Sequence, residues 1–418
     1  MPPPASATPR AVWAALAAGL AFRAWKVFID PSLLVTPLPG EFHLIAKAFV
    51  ESGVYSYDGA TPTAFRLPLW PLVLSAFFKL SGSTETYLPI VAVNVAMSLG
   101  AAFLTYRAAR RLLPEGWAAA ACWLHVLNPF SAHLDFSAGY ESVLTFLFAA
   151  LMLLLVRGVQ DRGESARPWL AVGALTGLSL TCRSSLLLLP PLLTPFLPSW
   201  TGRPGAWRHG VLMTALAYSF ITPWLIRNYS LFGRVIPFED GMGLHALYQS
   251  TQGVQGIMPD QNLPEPIKTF YFAHDPKIGP ASKEIALRAI AGDPLGYAVL
   301  CLRRLRTVWF DGGWAEQGLG SIRSFGDYRR EGAWLRAASK VLAKGAEAAF
   351  LLAALVGMAL SWKDPAARPV TFLVLYMNIH LLTQGLSRYV VPAVPALAVL
   401  AALGAHGAAS HLRPAGEA

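Results

Sequence analysis

The sequence carries little charge. Asp, Glu, Lys and Arg make up 14% of 418 residues, against 54% hydrophobic residues and a mean hydropathy of +0.44. A water-soluble chain of this length carries about a quarter charged residues, so the composition points away from a soluble globule and towards an all-α polytopic membrane protein. Cysteine is almost absent. Cys122, Cys182 and Cys301 stand far apart with no CxxC or Cys/His spacing, which argues against a disulfide framework and a zinc site. His43, His125, His133, His245, His274 and His380 form no HExxH or His-carboxylate ligand pair, so no metal cofactor is expected. Walker A, GxGxxG and GxSxG motifs are also missing, and with them any sign of ATP, dinucleotide or serine-hydrolase chemistry. The net charge of +10 comes without a basic stripe interleaved with aromatics, so no nucleic-acid partner is expected.

What the chain has instead is long apolar runs. A bilayer crossing needs about 17–25 apolar residues. Runs at 11–29, 87–106, 117–134, 142–156, 168–182, 186–200, 210–226, 346–362, 369–386 and 390–407 are the candidates, about ten spans in all. Arg23 and Lys26 interrupt the place where a signal-peptide cleavage site would lie, so the first run reads as an uncleaved anchor. Basic residues collect in four short loops: Arg107, Arg110 and Arg111; Arg157, Arg162 and Arg167; Arg203 and Arg208; Lys363 and Arg368. The positive-inside rule places all four in the cytoplasm, with both termini. That parity holds only if 67–80 and 295–310 do not cross. The first is short and holds Pro68 and Pro71; the second is broken by Arg303, Arg304 and Arg306, so both read as interfacial or re-entrant helices. Three parts result: a membrane module at 1–226 with a first external loop at 30–86, a long external loop at 227–345, and C-terminal spans at 346–418.

On the external face this count gathers acids and arginines. Glu41 opens an apolar helical stripe closed by Gly53, and is the candidate general base. Glu141 begins an almost wholly apolar helix and is the second candidate carboxylate, with Asp135 an alternative from the same turn. Arg66, Arg183, Arg227 and Arg388 each sit at an external end of a span or interfacial helix, where planar guanidinium suits bidentate phosphate recognition. Trp70, Trp224, Tyr229 and Tyr389 lie at matching depth, as an aromatic belt or a sugar platform. His43 is the one histidine beside Glu41. An acid, phosphate-binding cations and aromatics against a bilayer suit chemistry on a lipid-borne substrate.

Four ordered stretches carry a family resemblance. The first runs from Glu41-Phe42-His43-Leu44-Ile45-Ala46 through Tyr55-Ser56-Tyr57-Asp58-Gly59 to Thr63-Ala64-Phe65-Arg66-Leu67-Pro68-Leu69-Trp70-Pro71; the second runs from Asn128-Pro129 to Tyr140-Glu141. The third is Pro223-Trp224-Leu225-Ile226-Arg227-Asn228-Tyr229 with Phe232-Gly233, and the fourth is Ser387-Arg388-Tyr389-Val390-Val391-Pro392-Ala393-Val394-Pro395. Together they resemble the C-type (GT-C) glycosyltransferases, in particular the bacterial group related to protein O-mannosyltransferases and the aminoarabinose transferase of lipid A. The resemblance implies a GT-C fold in a bacterial inner membrane, with external loops carrying the site. It also implies a polyprenyl-phosphate-linked sugar donor, an inverting displacement facing the periplasm, a glycan, lipid or protein acceptor, and no metal. On it, Glu41 and Glu141 would be catalytic, while Arg66, Arg183, Arg227, Arg388, Tyr389, Trp224, Tyr57 and His43 would bind substrate. The family's acid is commonly an Asp a few residues before the loop aromatic; here Thr36-Pro37-Leu38-Pro39-Gly40 has none, leaving Glu41 as a shifted substitute and Asp30 behind it. Two other classes fit the same residues: a flippase for a lipid-linked anion, and a non-catalytic relative acting in assembly.

Overall fold

The computed structural model describes residues 9–34, 41–85, 87–137, 139–256, 258–311, 314 and 323–412. The absent family acid, at 36–40, lies outside the described residues. Among those described, helices make up the fold; an isolated antiparallel bridge between Ser56 and Pro62 pins a loop.

Among the described residues, six helices are long and apolar enough to cross a bilayer: Arg10–Ile29, Leu88–Ala109, Glu141–Gln160, Pro204–Phe232, Trp334–Ser361 and Ser387–Ser410. They coincide with six of the ten expected runs. The other four are shorter or broken. Run 117–134 is the helix Glu115–Val126 followed by Pro129–Leu134, where Asn128 caps the second piece and Pro129 starts it. Run 168–182 is the 14-residue helix Arg167–Leu180. Run 186–200 falls into Leu189–Leu193, Thr194–Phe196 and Leu197–Thr201, each with proline at its start. Run 369–386 becomes Arg368–Met377 and Asn378–Leu382. The two runs excluded from crossing behave differently. Leu69–Ser81 is a 13-residue helix, whereas Pro294–Phe310 joins Ile278–Gly292 at a bend of 102°, a broken or re-entrant pair.

Small residues bring the helices together, as in membrane bundles generally. A Cβ on Gly357 would stand 1.9 Å from Leu400 O, and one on Gly404 would stand 2.0 Å from Ala353 O, so the last two long helices touch backbone to backbone. Gly173 and Gly177 do the same against Met213 O and Ala217 O, at 2.6 and 2.8 Å. The first helix is pinned by charge. Arg23 donates to Asp135 Oδ2 at 2.6 Å and to Ser98 Oγ at 2.8 Å, Ser142 Oγ donates to Asp135 Oδ1 at 2.7 Å, and both charges are buried. Asp135 is therefore spent inside the bundle, which removes it as the second site carboxylate.

Three of the four basic loops meet at one end of the bundle. Arg111 donates to Gln160 Oε1 at 2.9 Å, and Arg203 donates to Gly163 O at 3.1 Å. Glu141 stands at the other end of the same helix, about 30 Å away for 20 residues at 1.5 Å each.

Candidate functional site

At that far end a cavity of about 540 Å³ opens between the first loop, the turn before Glu141, the turn after Arg167–Leu180, the segment 239–249 and the residues preceding the last helix. Its walls therefore come from all three sequence parts.

The first loop is folded onto the cavity by residues from the third of the four stretches that carry the resemblance. Arg227 donates from Nη1 to Thr63 O at 2.7 Å and from Nη2 to Tyr55 O at 3.4 Å, and its guanidinium lies 4.9 Å from the Trp224 ring centre. Trp224 Nε1 donates to Phe238 O at 3.3 Å, Asn228 Nδ2 to Ile236 O at 2.9 Å, and Asp240 N to Ala64 O at 2.9 Å. Tyr55 O–H in turn donates to the carbonyls of Arg66 and Leu67 at 3.0 and 3.1 Å. Arg227 and Trp224 thus lie outside the cavity lining and hold the two segments that carry Arg66 and Glu239 into it.

Arg66 reaches the cavity and is tethered at its rim. Its Nη2 donates to Glu41 Oε2 at 2.9 Å, and its guanidinium sits 5.4 Å from Phe65 and 5.8 Å from Phe42. Glu41 also accepts from Tyr57 O–H at 3.1 Å and stands 3.5 Å from His274 Nε2. The His274 ring stacks on Tyr57 at 3.7 Å and 9°. Neither Glu41 nor Tyr57 lines the cavity; with His274 they form a knot behind Arg66. Burial pushes the Tyr57 phenol above its ordinary range, so it stays a donor. His43, on the helix Phe42–Ser52, is half-buried and away from the lining.

Glu141, Arg183, Arg388 and Tyr389 all line the cavity. The Arg183 guanidinium lies 3.9 Å from the Tyr389 ring centre and that of Arg388 lies 5.1 Å from it. Arg388 Nη2 donates to the Tyr389 hydroxyl at 3.3 Å, and Arg183 Nη2 meets His380 Nδ1 at 3.4 Å. Among the described residues neither arginine has a carboxylate oxygen within 4.0 Å. Two like charges against one ring repel in a low-dielectric setting unless an anion joins them. Buried polar atoms without a hydrogen-bond partner concentrate here. Of thirteen among the described residues, six belong to lining residues: Arg66 Nε, Glu141 Oε2, Arg183 Nη1, Ser185 Oγ, His380 Nε2 and Arg388 Nε. Such atoms cost free energy unless a ligand or solvent satisfies them, so the cavity is built for a ligand with an anionic part.

Glu239 went unnoticed in the sequence. It lies in an irregular turn between Pro237 and Gly241, where no periodicity marks a facing. The cavity wall also includes Ser184, Gln249, His245, Asp260 and Tyr271. Burial, with Arg66 nearby, holds the His245 imidazole down at about 4; burial, with Glu41 nearby, pushes the Tyr271 phenol up to about 12. Asp30 instead caps its own turn, accepting from Ser32 N at 3.1 Å. Among the described residues no group of three or more His, Cys, Asp or Glu side chains is placed to hold a metal ion.

A second, almost wholly apolar cavity has a volume of about 500 Å³. Leu302, Trp309, Phe310, Leu351, Leu355 and Val374 line it. Trp309 Nε1 donates to Asn378 Oδ1 at 2.9 Å; Asn378 lines this groove, and Ile379 and His380, next in the chain, line the charged cavity.

Residues 62–226 match the family model described as dolichyl-phosphate-mannose-protein mannosyltransferase. Among solved structures, the apo oligosaccharyltransferase of Archaeoglobus fulgidus is similar at 12% identity and a TM-score of 0.55, covering 96% of this chain and 51% of that one. The same enzyme's complex with Zn and sulfate gives 12% identity, a TM-score of 0.55 and coverages of 96% and 49%. ArnT from Cupriavidus metallidurans bound to undecaprenyl phosphate gives 16%, 0.47, 96% and 78%. Comparison with curated proteins returned no match. The chain spans about half the length of the archaeal enzyme. Fold and matched segment together make this a protein of the GT-C fold, resembling the glycosyltransferases of the protein mannosyltransferase group.

Proposed function

We propose that the chain is a membrane glycosyltransferase that moves a sugar from a polyprenyl-phosphate donor to an acceptor hydroxyl by inverting displacement, with the cavity facing the periplasm. One observation carries the reading: among the described residues Arg183 and Arg388 converge on Tyr389 with no carboxylate oxygen within 4.0 Å, in a cavity whose lining residue Ile379 follows Asn378 of an apolar groove. The groove would seat the isoprenoid and the arginines its phosphate. Polyprenyl phosphate leaves readily once its charge is stabilised, so positioning and electrostatics supply most of the rate. Glu141, a lining residue whose Oε2 is buried without a hydrogen-bond partner, would take the acceptor's proton. Glu41 would act through Arg66, which it orients. The test is release of polyprenyl phosphate by the purified protein from a radiolabelled polyprenyl-phosphate sugar, assayed with glycan, lipid and peptide acceptors. Release that depends on an acceptor supports transfer; movement of intact donor across a vesicle membrane without release would make the protein a flippase.

A further inference from the structure

Resting on that reading of the phosphate site, we infer that Glu239 is a proton-carrying group of the site, which donates from its carboxyl to the lipid phosphate as the sugar leaves. The geometry comes first. Glu239 lines the same cavity as Arg66, Arg183 and Ser184 and feels the charge of both arginines. Yet among the described residues it makes no ion pair within 4.0 Å. Its backbone has little freedom: Trp224, Asn228 and Asp240 fix residues 236, 238 and 240 by the hydrogen bonds described above. An acid is thus held at a fixed place beside the cations that would grip a phosphate.

The reaction changes the charge at that place. A polyprenyl-phosphate sugar is a phosphodiester with one negative charge; the polyprenyl phosphate left behind is a monoester that carries up to two, its second pKa being about 6. As the acceptor oxygen bonds to the anomeric carbon, the bond from that carbon to the phosphate oxygen breaks and its electron pair stays on the oxygen. The acceptor's proton passes to Glu141, and the Glu239 proton is shared with, or passes to, the new monoester. An ionised Glu239 would instead repel the product. Burial pushes its carboxyl above the usual range, which keeps the proton available. The other charged and titratable groups around it are Arg66 on the first loop, Arg183 and Cys182 after Arg167–Leu180, and Glu141 and Tyr140 at the start of Glu141–Gln160. His245 lies on the following helix, Asp260 and Tyr271 on the outer loop, and His380, Arg388 and Tyr389 before the last helix. Of these, His245 is held neutral by burial through the neutral range.

The proposal predicts a difference between monoester and diester. Binding of a short-chain polyprenyl phosphate, and of its methyl diester, is measured to the full chain in nanodiscs from pH 5.5 to 8.5. Wild type should hold the monoester tightly at low pH and lose affinity as pH rises, by about tenfold per unit once Glu239 ionises, while the diester changes at most a fewfold. Glu239→Gln should flatten the monoester profile to that of phosphate ionisation alone. Ser184→Ala, which removes a neighbouring hydroxyl that favours the ionised carboxylate, should move the loss to higher pH. A Glu239→Gln profile that overlays wild type overturns the role of Glu239 and leaves the phosphate site standing. Wild type that binds neither ester overturns the phosphate site itself and the proposal with it.

Discussion

Gly139 offers a way to move the Glu141 carboxylate without changing its chemistry. A Cβ built on Gly139 would stand 2.0 Å from Glu141 Oε2 and 3.1 Å from its carboxyl carbon, where 3.4 Å is ordinary contact. Gly139→Ala would displace the carboxylate by about 1.4 Å, and a misplacement of about 1 Å costs about a hundredfold in rate. The clash falls on the far end of the buried Glu141 side chain, so stability should fall by about 1–3 kcal/mol. The assay is acceptor-dependent release of polyprenyl phosphate at saturating donor, with thermal unfolding in the same detergent. We expect kcat lower by about a hundredfold, donor KM within about twofold, and no further loss when the change is added to Glu141→Gln. A Gly139→Ala protein with wild-type kcat, or one whose loss adds in full to that of Glu141→Gln, would refute the placement of Glu141 at the reacting atoms.

Three further outcomes are expected. Glu141→Gln should lower transfer by at least about a thousandfold, as for loss of a general base, whereas Glu41→Gln, which keeps the Tyr57 hydrogen bond but weakens the hold on Arg66, should lower it about tenfold; steady-state rates of the two variants decide this. Arg227→Ala removes charge-assisted hydrogen bonds to Thr63 O and Asn228 Oδ1 and should cost about 2–4 kcal/mol of stability while altering donor affinity less than Arg388→Ala does, as read by melting temperature and by binding of polyprenyl phosphate. His245 is buried and neutral, accepting from Gln249 Nε2 at 3.0 Å; its lowered pKa means the unfolded chain binds the extra proton first. Its share of stability is complete above about pH 6.5 and is lost as pH falls towards 4, by up to about 3 kcal/mol, so unfolding profiles of wild type and His245→Gln should converge in slope only above that window.

Much of the site could be read from charge alone. An ionisable residue at the end of an apolar span needs a reason to be there, and Glu141, Arg66, Arg183 and Arg388 all prove to line one cavity. The same rule brought in Arg227, whose partners are the backbone carbonyls of Thr63 and Tyr55, acceptors that no side-chain pattern reveals. Asp135 met it too, and its partner is Arg23, 112 residues away on the first helix. Glu239 escaped because an irregular turn has no period to betray which way a residue faces. Hydropathy found the six long helices but could not say that runs holding several prolines would break into short pieces, because both give the same count of apolar residues.

The most direct test of the phosphate site is a structure of the full chain in a lipid nanodisc with a short-chain polyprenyl phosphate bound. The phosphate oxygens should lie within hydrogen-bond distance of Arg183 Nη1 and Arg388 Nε, with the isoprenoid in the groove between Leu302 and Leu355. A phosphate bound at Arg227, or an isoprenoid that leaves that groove empty, would contradict the account.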